Sequence, residues 1–151
     1  MDITFAVEPF QSAYSSGELL TRVHYAEISQ HKAHGFELKP QIGLYLARAA
    51  RGEVVLMVGR LRGEVVAYFL CFVAPGMHYA DCLTATGDLF YVAPDHRTAL
   101  TGSALFDAME QELKRRGVNL WFAGEKIAHP CGALFKRKRF EPFEITHAKW
   151  L

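Results

Sequence analysis

The residues from Tyr91 to Leu105, Tyr-Val-Ala-Pro-Asp-His-Arg-Thr-Ala-Leu-Thr-Gly-Ser-Ala-Leu, read as the end of a strand, a sharp turn and the start of a helix. Such a junction suits an anion. Backbone N–H groups in the first turn of a helix lack intrahelical partners and stand at the positive end of its dipole, so a phosphate placed there meets both. Gly102 would let a ligand approach the backbone closely. A single glycine also fits an ordinary loop-to-helix junction, and the spelling alone leaves both readings open. Lys136-Arg-Lys-Arg139 is the one dense basic run. With Arg115 and Arg116 it offers a phosphate-facing patch, a nucleic-acid contact or a solvated helix face. Nucleic acid is the weakest of these, because no aromatic interleaving or recognised motif goes with the charges. His31-x-x-His34, with His24 nearby, has metal-ligand spacing, but no carboxylate or thiolate completes a set and no metal is assigned.

The elements that must carry these residues follow from pattern. Half of the 151 residues are hydrophobic and 22% are charged, which excludes a disordered chain and fits one domain over 1–151. A formal net charge of +1 excludes a surface that is wholly a nucleic-acid footprint. Cys71, Cys82 and Cys131 are odd in number and contain no C-x-x-C pair, as expected of reduced thiols in a cytoplasm. The N-terminal residues lack the apolar core of a signal peptide, and no apolar run reaches membrane-spanning length, so a cytoplasmic protein without a membrane partner is expected.

Ile3, Phe5 and Val7 alternate as a first strand closed by Pro9. Leu19, Leu20, Val23 and Ile28 recur at helical spacing from Ser15 to about Ser29, with Ser15 or Ser16 as the N-cap. A second helix runs from about Ile42 to Gly52. Val54–Arg60 and Glu64–Ala74 form a hairpin around Leu61-Arg62-Gly63. A turn-rich stretch, Pro75–Asp81, precedes a strand whose best part is Asp88–Val92. In the helix from Ala99 to Arg116, Leu105, Met109 and Leu113 make one apolar stripe ended by Gly117. A strand over Val118–Ala123, a short helix over Pro130–Lys138 and a closing strand through Phe143, Ile145 and His147 complete the order β-α-α-β-β-β-α-β-α-β. That is an α/β (α+β) fold with a mixed, mostly antiparallel central sheet flanked by helices.

Arg97-Thr-Ala-Leu-Thr-Gly102 resembles the acyl-CoA signature of the GNAT (Gcn5-related) N-acetyltransferases, Arg or Gln followed by x-x-Gly-x-Gly/Ala, with Leu100 in place of the first glycine. The following helix, the strand through Leu120–Ala123 and Ala133-Leu-Phe-Lys-Arg-Lys-Arg-Phe140 are similar to the family's second half. The resemblance implies transfer of an acetyl group from acetyl-CoA to a small-molecule or peptidyl primary amine by direct attack. It places the pyrophosphate of coenzyme A on the backbone of Arg97, Thr98, Ala99, Leu100, Thr101, Gly102, Ser103 and Ala104, and the oxyanion of acyl transfer at the Val92 amide. Lys136 is the expected contact for the 3′-phosphate. A Leu at position 100 would be strained if that position needed a positive φ.

An amine acceptor is protonated near neutral pH, so a base must act first. Asp88 is the first candidate, four residues before Val92 and expected on the same strand face. Glu125, just beyond the neighbouring strand, is the second. Where the family carries a tyrosine acid this chain has Phe135, with Arg139 for the nearby glycine and Ala128 for a frequent Asn. His129 or Tyr91 would then donate the proton. Cys131 is not needed as a nucleophile in a direct transfer. Tyr25, His31, Phe36 and Tyr45, in the region that closes over the acceptor in the family, are expected pocket walls. Trp150 packs at a sheet edge or at a contact between two copies, which makes a homodimer one of two readings. The departures at Leu100, Ala128 and Phe135 sustain an alternative: an acyl-CoA- or ligand-binding module without turnover, or a member directed at nucleic acid.

Overall fold

The computed structural model describes residues 2–151. Its five-stranded sheet has the order β1-β2-β3-β4-β5, with β1 Thr4–Val7, β2 Val54–Leu61, β3 Glu64–Gly76, β4 Tyr79–Val92 and β5 Leu120–Phe122. The first three pairings are antiparallel and β4 with β5 is parallel. Helices α1 (Phe10–Ile28) and α2 (Ile42–Ala50) cover one face, and α3 (Ala99–Arg115) and α4 (Gly132–Arg137) the other.

Alternation along the strands divides the core in two. Val55, Met57, Phe69 and Cys71 meet α3, while Leu56, Val58, Tyr68 and Leu70 meet α1 and α2. Leu105, Met109 and Leu113 are all buried, as their spacing predicts, and each contributes about 1.5–3 kcal/mol to holding α3 on the sheet.

Several boundaries differ from expectation for local reasons. α1 begins at Phe10, directly after Pro9. The serines expected to cap it lie inside it, where Ser15 and Ser16 donate their hydroxyls to the carbonyls of Gln11 and Ser12 at 2.9 and 3.0 Å. The stretch expected to be turns is a long hairpin: β3 and β4 stay paired to Gly76↔Tyr79, with an irregularity at Pro75/Gly76. The expected closing strand does not form, and residues 141–151 lie outside the sheet. With only three residues, β5 offers little edge for a further ladder, and the tail is held by side chains instead. Phe143 packs on Phe122 at 5.0 Å, Ile145 is 80% exposed, and Trp150 stacks on His34 at 3.9 Å. Trp150 thus meets the loop between α1 and α2.

Two arginines occupy positions where glycine is favoured. Arg62, with φ 52°, precedes Gly63 in the tight β2–β3 turn. Arg139, with φ 61°, stands just beyond α4. There Phe140 N–H donates to the Phe135 carbonyl at 3.0 Å and Arg139 N–H to that of Lys136 at 3.1 Å, the two bonds of a Schellman stop. The rings of Phe135 and Phe140 close over it at 5.2 Å. A side chain in this conformation costs about 1 kcal/mol. Arg139→Gly is therefore expected to stabilise the protein by about that amount in urea unfolding, and Arg139→Ala, which keeps the Cβ, should gain nothing.

Candidate functional site

β4 and β5 pair only over Thr84↔Leu120, Ala85↔Trp121 and Thr86↔Phe122. At the last rung they are so close that a Cβ on Gly87 would lie 3.1 Å from the Phe122 carbonyl oxygen. β5 then ends, and β4 runs on to Val92 with a strand neighbour on the β3 side alone. Ala93 N–H donates to Val66 O at 2.8 Å, so alternation turns the Val92 N–H away from β3, toward the open edge. The donor expected at Val92 therefore faces a cleft.

The cleft leads to the start of α3. Thr98 caps it, its hydroxyl oxygen accepting from Thr101 N–H at 3.0 Å. The amides of Arg97 and Gly102 donate to the carbonyls of Pro94 and Thr98 at 3.2 and 3.3 Å. Ser103 and Ala104 lie deep enough in α3 to bond within it. Of the eight residues Arg97–Ala104, the amides left bare by helix geometry are those of Ala99 and Leu100, beside the capping Thr98. Leu100 adopts no positive φ; it belongs to the first turn of α3 with its side chain 80% exposed, so the expected strain is absent. A Cβ on Gly102 would meet only Leu134 Cδ2 at 3.6 Å, and the lost side chain leaves the helix start open.

Arg97 points away from this helix start. Its two terminal nitrogens each donate to Glu27 at 2.7 Å, and its Nε donates to the Val92 carbonyl at 2.9 Å. Its guanidinium also lies 4.8 Å over the Tyr91 ring. Tyr91 in turn donates its hydroxyl to Glu27. Arg97, then Tyr91, holds the Glu27 carboxyl down to about 2, while burial and Glu27 push the Tyr91 phenol up to about 12. The tyrosine proton is thus committed to Glu27. Neither Glu27 nor its pairing, across 70 residues, has any local signal in the sequence.

His24, one turn before Glu27, stacks on Tyr91 at 4.3 Å and shares a 2.6 Å hydrogen bond with the Tyr68 hydroxyl. It does not join His31 and His34, whose rings pack on Trp150.

On the α1/α2 face a cavity of about 320 Å³ brings Tyr25, His31, Phe36 and Tyr45 together, as expected. Tyr25 donates its hydroxyl to the Phe36 carbonyl at 2.6 Å, and Tyr45 stacks on Phe10 at 4.6 Å. Tyr45 also donates to Asp88 Oδ2 at 2.8 Å, and burial followed by Asp88 raises its phenol pKa. Asp88 does not share the face of Val92. Leu70 pairs with Leu89 and Cys71 with Gly87, so Asp88 is the extra residue of a β-bulge. The bulge breaks the alternation that would have set Asp88 beside Phe90 and Val92, which pack against the α3 side. Asp88 is instead bonded from the α2 side, next to Leu89 in the cavity wall.

The remaining candidates are placed as follows. Glu125 accepts the Cys131 N–H and fastens the loop after β5. Burial, then Glu125, raises the Cys131 thiol to about 12, which keeps it protonated. His129 is exposed on the same loop, its N–H bonded to Lys126 O at 2.9 Å. Lys136 is exposed on α4, where Arg137 donates to the Ala99 carbonyl at 3.3 Å and Lys138 pairs with Asp107 at 2.6 Å. The expected union of this run with Arg115 and Arg116 does not occur. Those two pair with Glu112 at the other end of α3, a helix about 25 Å long.

His24 is 7% exposed, and burial depresses its pKa to about 4 from 6.5. The unfolded chain therefore binds this proton at a pH where the folded chain does not, so stability falls as pH drops through that window. Unfolding free energy should decrease by about 2 kcal/mol from pH 7.5 to pH 5 through this group. His24→Phe should flatten that slope in urea titrations; the same slope in the variant would assign the acid sensitivity to other groups.

A scan of the sequence against protein-family models gives no match, and neither does a comparison with curated proteins. Solved structures do match over the whole chain. An aminoglycoside acetyltransferase from an uncultured soil metagenomic sample superposes with a TM-score of 0.75 at 16% identity, covering 100% of this chain and 99% of its own. The ribosomal-protein-alanine N-acetyltransferase of Brucella melitensis biovar Abortus gives 0.71 at 12% identity, covering 99% and 98%. A "predicted acetyltransferase" of Clostridium acetobutylicum, solved with acetyl-CoA, gives 0.67 at 13%, covering 99% and 94%. With the split between β4 and β5 opening onto the start of α3, these likenesses establish that the chain has the fold of the Gcn5-related N-acetyltransferases.

Proposed function

We propose that this protein is an N-acetyltransferase that uses acetyl-CoA to acetylate a primary amine by direct attack. The observation that carries the reading is one strand with two uses. The open edge of β4 ends in the Val92 N–H and the bare amides of α3, while its bulge sends Asp88 to the opposite side, behind Tyr45 of the cavity wall.

Acetyl-CoA fits the residues present. Its pyrophosphate would be held at the amides of Thr98–Leu100 over the open face of Gly102, with Lys136 and Arg137 as neighbouring cations. Bound there, it supplies a thioester, an activated acyl group. Val92 N–H directs a fixed dipole at the open edge, where negative charge on an acyl oxygen would gather. Its strand end is anchored on the same open edge by Arg97, which binds the Val92 carbonyl and is held in place by Glu27. Asp88 takes the proton of the incoming ammonium group, and Tyr45 orients that carboxylate through a single hydrogen bond. Glu125 and Tyr91 have a positioning role in this scheme, each tied to a partner, and His129 is the protonatable side chain left exposed near the cleft.

The aminoglycoside and ribosomal-protein acetyltransferases among the similar structures support an amine acceptor. A ligand-binding role without turnover is favoured by one feature: Phe135 lies in an aromatic cluster with Phe106 and Phe140 and brings no hydroxyl to the place of the family's acid.

Gly102→Asp sets a carboxylate against the pyrophosphate and should abolish acetyl-CoA binding in calorimetric titration; unchanged affinity would put the donor elsewhere. Asp88→Asn should lower thiol release with an amine acceptor by about 10²–10⁴-fold and leave acetyl-CoA affinity nearly unaltered. An undiminished rate would remove Asp88 from the role of base. Binding of acetyl-CoA without thiol release to any amine would establish the non-catalytic reading.

A further inference from the structure

We infer that the acceptor is a primary amine carried on an apolar body of about the size of one aromatic ring, and not a polyhydroxylated or polycationic amine. This deepens the proposed function and rests on it. Three features of the α1/α2 cavity lead here.

Its walls are apolar. Phe10, Leu56, Val58, Val65, Leu70 and Leu89 supply hydrocarbon and aromatic surface to a space of about 320 Å³, the lower end of the range for small-ligand sites. Phe10 and Tyr45 stack on each other at 4.6 Å with Tyr14 and Phe72 on their outer faces, so the aromatic wall is already packed and offers a ring an apolar edge rather than a polar one.

Four of the six hydroxyl groups that line it are engaged within the protein, Tyr14 and Ser29 being the other two. Tyr25 donates to the Phe36 carbonyl, Thr21 to the Gly17 carbonyl at 3.2 Å, Tyr45 to Asp88, and Tyr68 is bonded to His24. A sugar lowered into this cavity would meet too few free hydroxyl groups to replace the water lost by its own several, which costs about 1–3 kcal/mol per buried group left unpaired.

Its charge suits one ammonium group. Glu37 is the single carboxylate among the lining residues, with Lys39 two positions on, and Asp88 stands behind Tyr45 at one side. A polyamine would bring several positive charges to a wall whose one carboxylate, Glu37, stands with the basic side chains Lys39 and His31. A monoamine can place its body among the apolar residues and direct its nitrogen past Tyr45 toward Asp88 at the cavity's side.

The test compares 2-phenylethylamine, ethylamine and the aminoglycoside sisomicin as acceptors of acetyl-CoA with the intact protein, reading thiol release. The two simple amines carry the same reacting group and differ by the ring. The expected kcat/KM for 2-phenylethylamine exceeds that for ethylamine by about ten- to a hundredfold, the yield of burying one phenyl group, and sisomicin is the poorest. Thr21→Phe, which fills the cavity from α1, should erase that preference through KM. Equal rates for the two simple amines, or a preference for sisomicin, would overturn the inference and leave the proposed function standing. If acetyl-CoA fails to bind, the proposed function falls. The cavity is then judged by saturation-transfer NMR of 2-phenylethylamine on the protein alone: ring-proton signals lost in Thr21→Phe support an apolar occupant, and no signal overturns it.

Discussion

A β-strand in the middle of a sheet must satisfy its N–H and C=O groups on both edges, and β4 loses one of those edges halfway along. β5 contributes three residues and stops, so the end of β4 beyond Thr86 leans on β3 alone while its other edge faces an open cleft. The structure closes part of the gap with side chains. Arg97 binds the Val92 carbonyl, Glu27 grips Arg97 from α1, and Tyr91 completes the contact from β4 itself. Val92 N–H is what this arrangement leaves open. A donor group held by charged neighbours and aimed into a cleft costs no reorganisation when a ligand arrives, which is how backbone amides serve acyl transfer.

The same strand changes character at Asp88. A regular strand would send residues 88, 90 and 92 to one face, and the extra residue in the ladder sends Asp88 to the other. The consequence is a division of labour across the sheet. The start of α3 and the aromatic cluster around Phe106 lie on one side; the cavity under α1 and α2, with Tyr45 holding Asp88, lies on the other. In the proposed function, donor and acceptor would approach the open edge from opposite faces and meet near the strand end. Trp150, stacked on the loop between α1 and α2, ties the tail to the face that holds the cavity.

What could be read from the sequence was local. The strand, turn and helix around Gly102, the stripe of Leu105, Met109 and Leu113, and the β2–β3 turn at Arg62-Gly63 each rest on neighbouring residues, and each formed. The aromatic walls at Tyr25, His31, Phe36 and Tyr45 came from the family resemblance, and the fold brings them together. What could not be read depends on distance or on one extra residue. Glu27 and Arg97 are paired across 70 residues, and no spacing rule links them. The alternation argument for Asp88 failed at a bulge that has no composition of its own. The alternating Phe143, Ile145 and His147 looked like a strand, but a strand needs a partner edge, and β5 offers too little. Leu100 looked strained against a family pattern and is an ordinary helical residue in this chain.

The most direct test is to follow backbone amide resonances of the isotopically labelled protein while acetyl-CoA is added. Saturable shifts centred on Val92, Thr98, Ala99 and Leu100, with Gly102 beside them and the α1/α2 cavity largely unmoved, are the predicted result. No saturable change, or shifts confined to the cavity or to the far end of α3, would contradict the claim that the open edge of β4 and the start of α3 form the acyl-donor site.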